Sequence, residues 1–109
     1  MWIVEFVNEK ARNEILSLPK NLQARAFKMM QMLEIYGNTI GEPHTKNIGD
    51  DLFEIRIKST EGIARSIYCY EVGKKIVILL TFIKKSEKIP KYIVEQAKQR
   101  LKEYKNARD

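Results

Sequence analysis

The 109-residue sequence predicts a single α+β domain spanning residues 1–109, in the order β-α-α-β-β-β-α. A small, antiparallel-rich sheet is flanked by an N-terminal helical pair and a C-terminal helix. Three observations predict this. The runs LFEIRIKS, IARSIYCYEV and KIVILLTFI follow one another from Leu52 with only turn-length gaps, which is hairpin spacing. Apolar residues at helical spacing precede them (Leu22, Ala26, Met29, Met30, Leu33, Tyr36) and follow them (Ile93, Ala97, Leu101, Tyr104). The length suits one hydrophobic core rather than two.

Each element has its own signal. WIVEFV, residues 2–7, reads as a short strand interrupted by Glu5. Residues 9–18 form a short helix with Ile15 and Leu18 on one face, broken at Leu18-Pro19. The next helix ends at Gly37, which suits a left-handed C-terminal cap. Its Met-rich stripe is read as core packing. Residues 37–51, GNTIGEPHTKNIGDD, are turn chemistry throughout. Strands are then expected at 52–59, 63–72 and 75–83, the last so uniformly apolar that it should be covered on both faces. Pro90 suits the first turn of the closing helix.

Composition narrows the function. The hydrophobic fraction of 44% and charged fraction of 31% are those of a globular domain. No apolar run approaches a membrane span, and the N-terminus lacks the basic segment of a secretion signal. Cys69 is the single cysteine, which rules out an internal disulfide and fits a reducing, cytoplasmic setting. Residues 1–51 carry six Lys/Arg against seven Asp/Glu, whereas residues 52–105 carry thirteen against six. The net charge of +6 therefore belongs to the second half, and points to a phosphate-bearing partner.

Hairpin register concentrates that charge. A two-residue turn at Gly73-Lys74 sets Arg65 opposite Phe82. A four-residue loop from Ser59 to Gly62 sets Lys58 opposite Ile63 and Arg56 opposite Arg65. Rows Arg56–Arg65–Phe82 and Lys58–Ile63–Lys84 would then gather four cations and a ring at one end of one face. Directly opposed like charges destabilise a sheet. The arrangement therefore calls for neutralisation by Glu54 or Glu61, or for a bound phosphate gripped by guanidinium groups. A lone His44 and Cys69 supply too few ligands for zinc. His44 is a candidate general base, and Cys69 reads as a buried apolar group.

The run Pro43-His44-x-Lys46-x-Ile48-Gly49-x-x-Leu52-x-Glu54-Ile55-Arg56-Ile57 is followed by Gly62-Ile63-x-Arg65-x-x-Tyr68. Phe82-x-Lys84-Lys85-x-x-Lys88-x-Pro90 then precedes the closing helix. In order and spacing these resemble HigB-like toxins of the RelE/ParE superfamily, a group that includes phage-derived toxin-like proteins. The resemblance covers about residues 40–104 and implies a RelE-like fold. It also implies the toxin of a type II toxin–antitoxin pair: a metal-independent endoribonuclease, with no cofactor, that cleaves mRNA in the ribosomal A site. In that chemistry the 2′-OH attacks its own phosphate while cations stabilise the added charge.

By position, the resemblance places Arg65 at the scissile phosphate and makes Arg56 and Lys58 its holders. Lys84 or Lys85 supplies a further cation or a general acid. His44, Lys46, Phe82, Lys88 and Lys91 are candidate substrate contacts, and His44, Lys46 and Lys58 are candidate general bases. A helix-turn-helix antitoxin is the implied protein partner. The catalytic tyrosine that RelE-type enzymes often carry near the end has no match, since Tyr92 and Tyr104 fall on the last helix. A ParE-like gyrase inhibitor and a non-catalytic nucleic-acid-binding regulator are the alternatives.

Overall fold

The computed structural model describes residues 1–108. Strand β1 (Ile3–Phe6) leads into helices α1 (Glu9–Leu16) and α2 (Lys20–Tyr36), then a 3-10 turn over Gly37–Thr39. Strands β2 (Thr45–Gly49), β3 (Leu52–Ser59), β4 (Gly62–Glu71) and β5 (Lys75–Ile83) precede helix α3 (Lys91–Arg108). The five-stranded sheet has the order β1-β5-β4-β3-β2, with β1 parallel to β5 and the other pairs antiparallel. No helix among the described residues is long and apolar enough to cross a membrane.

Three layers follow from side-chain alternation. Ile55, Ile57, Ala64, Tyr68, Ile76 and Ile78 pack against Ile15, Leu22, Met29 and Leu33 of α1 and α2. The opposite parity, Leu52, Ile67, Cys69 and Val77, packs against Ile93 and Ala97 of α3. As its composition predicts, β5 is buried on both sides over residues 76–81.

The helix termini are closed in different ways. Asn8 caps α1 by accepting from the Ala11 N–H at 2.9 Å. Pro19 offers α2 no side-chain cap. The cap comes instead from Glu61, in the β3–β4 turn, whose Oε1 accepts from the N–H groups of Asn21 (2.6 Å) and Leu22 (3.2 Å). Gly37 ends α2 with φ +54°, and a Cβ there would run into the Trp2 indole. Leu22, Ala26, Met29 and Leu33 of the apolar stripe are buried, but Tyr36 lies exposed at the helix end.

Several expectations are corrected. Residues 37–51 are more than turns: they contain the 3-10 segment and β2, whose hydrogen bonds to β3 extend the sheet. The β3–β4 loop is shorter than expected, because Ser59 pairs with Gly62. The β4–β5 turn is longer, because Glu71 pairs with Lys75 and leaves Val72, Gly73 and Lys74 outside the ladder. Positive φ at both Gly73 and Lys74 accommodates that turn. A bulge then skips Leu79: Tyr68 pairs with Ile78, yet Ile67 pairs with Leu80. The extra turn residue and the bulge cancel, and Arg65 still meets Phe82.

Beyond the bulge β1 no longer covers β5, since its last partner is Ile78. Side chains from both helical layers close the gap. Glu14 of α1 accepts from the Thr81 N–H at 3.0 Å, and Arg100 of α3 donates to the Leu79 carbonyl at 3.0 Å. The two side chains also form a two-point ion pair at 2.9 and 2.7 Å. Glu14→Ala leaves the guanidinium of Arg100 buried without its carboxylate, and should cost about 3 kcal/mol in a urea titration. Adding Arg100→Met should recover part of that loss; a double variant less stable than Glu14→Ala would contradict the assignment.

Candidate nucleic-acid interface

Strand pairing builds the cationic end of the sheet. Arg56 lies opposite Arg65, Arg65 opposite Phe82, and Lys58 opposite Ile63. The Lys84 N–H bonds to the Ile63 carbonyl at 2.7 Å, which carries β5 alongside β4 for one more residue. Because Phe53, Ile55 and Ile57 enter the α1–α2 core, alternation puts Glu54, Arg56 and Lys58 on the α3 face. Arg65 and Phe82 share that face, Phe82 packing against the α3-side core. Since α3 begins only at Lys91, the segment 84–90 borders this end.

The cations differ in exposure. Arg56 and Lys58 are exposed. Arg65 is only 5% exposed, with Nη1 at 3.4 Å from both Glu54 Oε2 and the Glu87 carbonyl. Both contacts are long, and its buried Nε has no hydrogen-bond partner. Of the two neutralisers anticipated for the opposed arginines, Glu54 is engaged with Arg65, whereas Glu61 caps α2. A guanidinium held this loosely retains donor capacity that a further acceptor would satisfy.

Glu87 marks where an anion is stable here. Its carboxylate is 92% exposed and sits 3.0 Å from Lys84 Nζ. The hydrogen bond and charge of Lys84 hold it below the usual carboxylate range, with further lowering from Arg65 and Arg56 against a small opposing effect of burial. Three of the predicted site cations thus act on one surface carboxylate. Sequence reasoning missed Glu87, although its three-residue spacing from Lys84 was the available signal.

His44 and Lys46 are brought to the same neighbourhood. The His44 carbonyl accepts the Arg56 N–H at 2.9 Å, and both residues line a pocket of about 300 Å³ with Glu54 and Arg56. Lys85 and Lys88 fall elsewhere, lining a separate pocket with Pro90 and Tyr92. Phe82 borders that pocket and is half-buried, and Lys91 is exposed at the start of α3. Cys69 is buried, and desolvation, aided by Glu71, pushes its thiol up to about 11. Among the described residues no group of three or more His, Cys, Asp or Glu could hold a metal ion.

Residues 13–102 match the family described as phage derived protein Gp49-like. Comparison with curated proteins gives no match. A mutant of the E. coli toxin RelE in the free state superposes with a TM-score of 0.67 at 16% identity, covering 92% of this chain and 97% of RelE. The toxin–antitoxin complex RelBE2 from Mycobacterium tuberculosis gives 0.58 at 20% identity, covering 76% and 98%. An archaeal RelE–RelB complex from Pyrococcus horikoshii gives 0.56 at 24% identity, covering 77% and 96%. At such identities these likenesses establish the fold.

Three outcomes follow from the local chemistry. Glu87→Gln removes an anion from the field of Lys84, Arg65 and Arg56, so a generic polyanion such as fluorescein-labelled heparin should bind several-fold tighter in fluorescence anisotropy. Equal or weaker binding would count against that field. The depressed pKa means that the ionised Glu87–Lys84 contact persists down through the ordinary carboxylate range and is lost only as pH falls through the lowered value. Cys69 should resist iodoacetamide at pH 8 in the native protein and react after unfolding; rapid native alkylation would contradict its burial.

Proposed function

The chain belongs to the phage-derived Gp49-like family, and on that premise we propose that it is the toxin of a type II toxin–antitoxin pair. Its activity is that of a HigB-like, ribosome-dependent mRNA endoribonuclease that inhibits translation in the cytoplasm. The observation that carries this reading is the row Arg56–Arg65–Phe82 at the end of the sheet, with Lys58 and Lys84 on the neighbouring rung. A scissile phosphate of mRNA in the ribosomal A site would lie among these cations. The likeness to RelE structures and the basic second half of the sequence support the same assignment.

The chemistry needs no metal. The ribose 2′-OH loses its proton to a base and attacks the adjacent phosphorus. A P–O bond forms as the bond to the 5′-oxygen breaks, giving a cyclic phosphate and, after proton donation, a 5′-hydroxyl. Arg56 and Lys58, being exposed, hold the non-bridging oxygens. Arg65 supports them from beneath through its spare donor and responds to the charge that grows in the transition state. Lys84 supplies the proton to the leaving oxygen. His44, on the pocket shared with Arg56, is the candidate base, with Lys46 and Lys58 as the amine alternatives. RNA supplies the nucleophile that DNA lacks. A helix-turn-helix antitoxin covering the basic face completes the reading.

Primer extension on mRNA after induction tests it. Wild type should give codon-dependent cuts, and Arg56→Ala should weaken them about 100-fold, with an unfolding midpoint close to wild type because the side chain is exposed. Intact mRNA accompanied by DNA damage would instead support gyrase inhibition, and intact mRNA and DNA would support a non-catalytic regulator.

A further inference from the structure

A second concavity, of about 730 Å³, opens on the α2 side of the β2 edge. The aromatic residues Trp2, Phe53 and Tyr70 line it together with Asn38 and Asn47. None of the three rings is fully buried. Trp2 and Tyr70 lie 5.5 Å apart at 60°, and Phe53 meets Tyr70 at 4.9 Å and 69°. Phe53 is stacked on Tyr68 at 5.9 Å and 28°, and the Trp2 indole lies against Gly37, so each ring is held on one side while its partial exposure leaves area facing the concavity. Asn47 commits its Oδ1 to the Gly49 N–H at 2.9 Å, leaving its NH2 to donate. Behind the wall, the Tyr68 hydroxyl is buried without a hydrogen-bond partner. Burial, reinforced by Tyr70, holds that phenol protonated.

This concavity and the cationic site lie on opposite faces of the sheet and share lining residues around the β2 edge. Glu42, Thr45 and Lys46 line both it and the pocket of His44 and Arg56. A strand whose phosphate rests at Arg56 would therefore pass Lys46 on reaching the rings. Partly exposed aromatic rings accept any base, while carboxamides and a carboxylate meet the donors and acceptors on a base edge. An apolar peptide anchor would bury those polar groups without partners.

We infer that the Trp2–Phe53–Tyr70 pocket holds a base flanking the cleaved phosphate and that Glu42 selects bases carrying an exocyclic amino group. The inference rests on the proposed RNA substrate and, apart from Lys46, concerns residues outside the cation cluster. The base stacks on the exposed part of a ring, Asn38 and Asn47 pair with its edge, and Lys46 faces the intervening phosphate. Adenine, cytosine and guanine can donate to the Glu42 carboxylate from an amino group, which uracil lacks.

Trp2 is the sole tryptophan and so reports on its own pocket. Fluorescence of the full chain is followed during titration with AMP, UMP, ribose 5-phosphate and inorganic phosphate, with correction for nucleotide absorbance. Saturable quenching is expected from AMP, about tenfold weaker affinity from UMP, and none from the two ligands without a base. Glu42→Gln should bring AMP and UMP close to parity. Absence of nucleotide quenching, equal quenching by ribose 5-phosphate, or quenching only by an antitoxin peptide overturns the base site. Primer extension separates the two readings. Quenching without mRNA cleavage keeps the pocket and removes the nuclease. Cleavage with no quenching, and with cut sites unmoved in Tyr70→Leu, keeps the nuclease and removes the pocket.

Discussion

The paired side chains of Glu14 and Arg100 hold the architecture where the sheet is least complete. Strand β1 covers β5 only as far as Ile78, and the next carbonyl and amide need other partners. Arg100 takes the carbonyl of Leu79 and Glu14 takes the amide of Thr81. Buried charges of this sort are costly unless mutually paired and fully hydrogen-bonded. Here the pair and the backbone satisfy one another. Because one residue belongs to α1 and the other to α3, the contact also ties the two helical layers together across the edge of β5.

The position of α3 bears directly on the site. The helix covers the middle of its face through Ile93 and Ala97 and starts too late to reach the far end of β3 and β4. That end keeps Arg56 and Lys58 in solvent. Opposing Arg56 and Arg65 across a ladder is unfavourable, and the molecule offsets it with Glu54 beneath and Glu87 beside the cluster. The resulting balance is incomplete at Arg65 Nε. A site for a phosphate needs such a residue of unmet donor capacity, because a fully neutralised cluster would gain little from a ligand.

Much of this was legible in the sequence. Periodicity located α2 and α3 and the three long strands, and hairpin counting put Arg56, Arg65 and Phe82 in one row. The row formed although both turn lengths differed from expectation. Between β4 and β5, the longer turn is compensated by the bulge at Leu79, which is fixed by packing on α3 and invisible to a two-residue repeat. Between β3 and β4, Ser59 and Gly62 simply continue the expected ladder. Strand β2 was hidden because TKNIG is short, polar and ended by Gly49, and it is stabilised by β3 rather than by its own apolar content. Exposure was the least legible property: identical residue types facing each other on one rung gave a solvated Arg56 and a buried Arg65.

The reach of Glu61 to the start of α2 has a consequence for how the correct pairing is selected. Sliding β3 against β4 by one residue would reverse the faces of their side chains, and would also shift the turn that carries Glu61. The N–H groups of Asn21 and Leu22 would then lose their acceptor. A helix distant in sequence thus registers whether the hairpin is aligned, and rewards only the alignment that assembles the arginine row. The fold contains its own error check, read out at one end of α2.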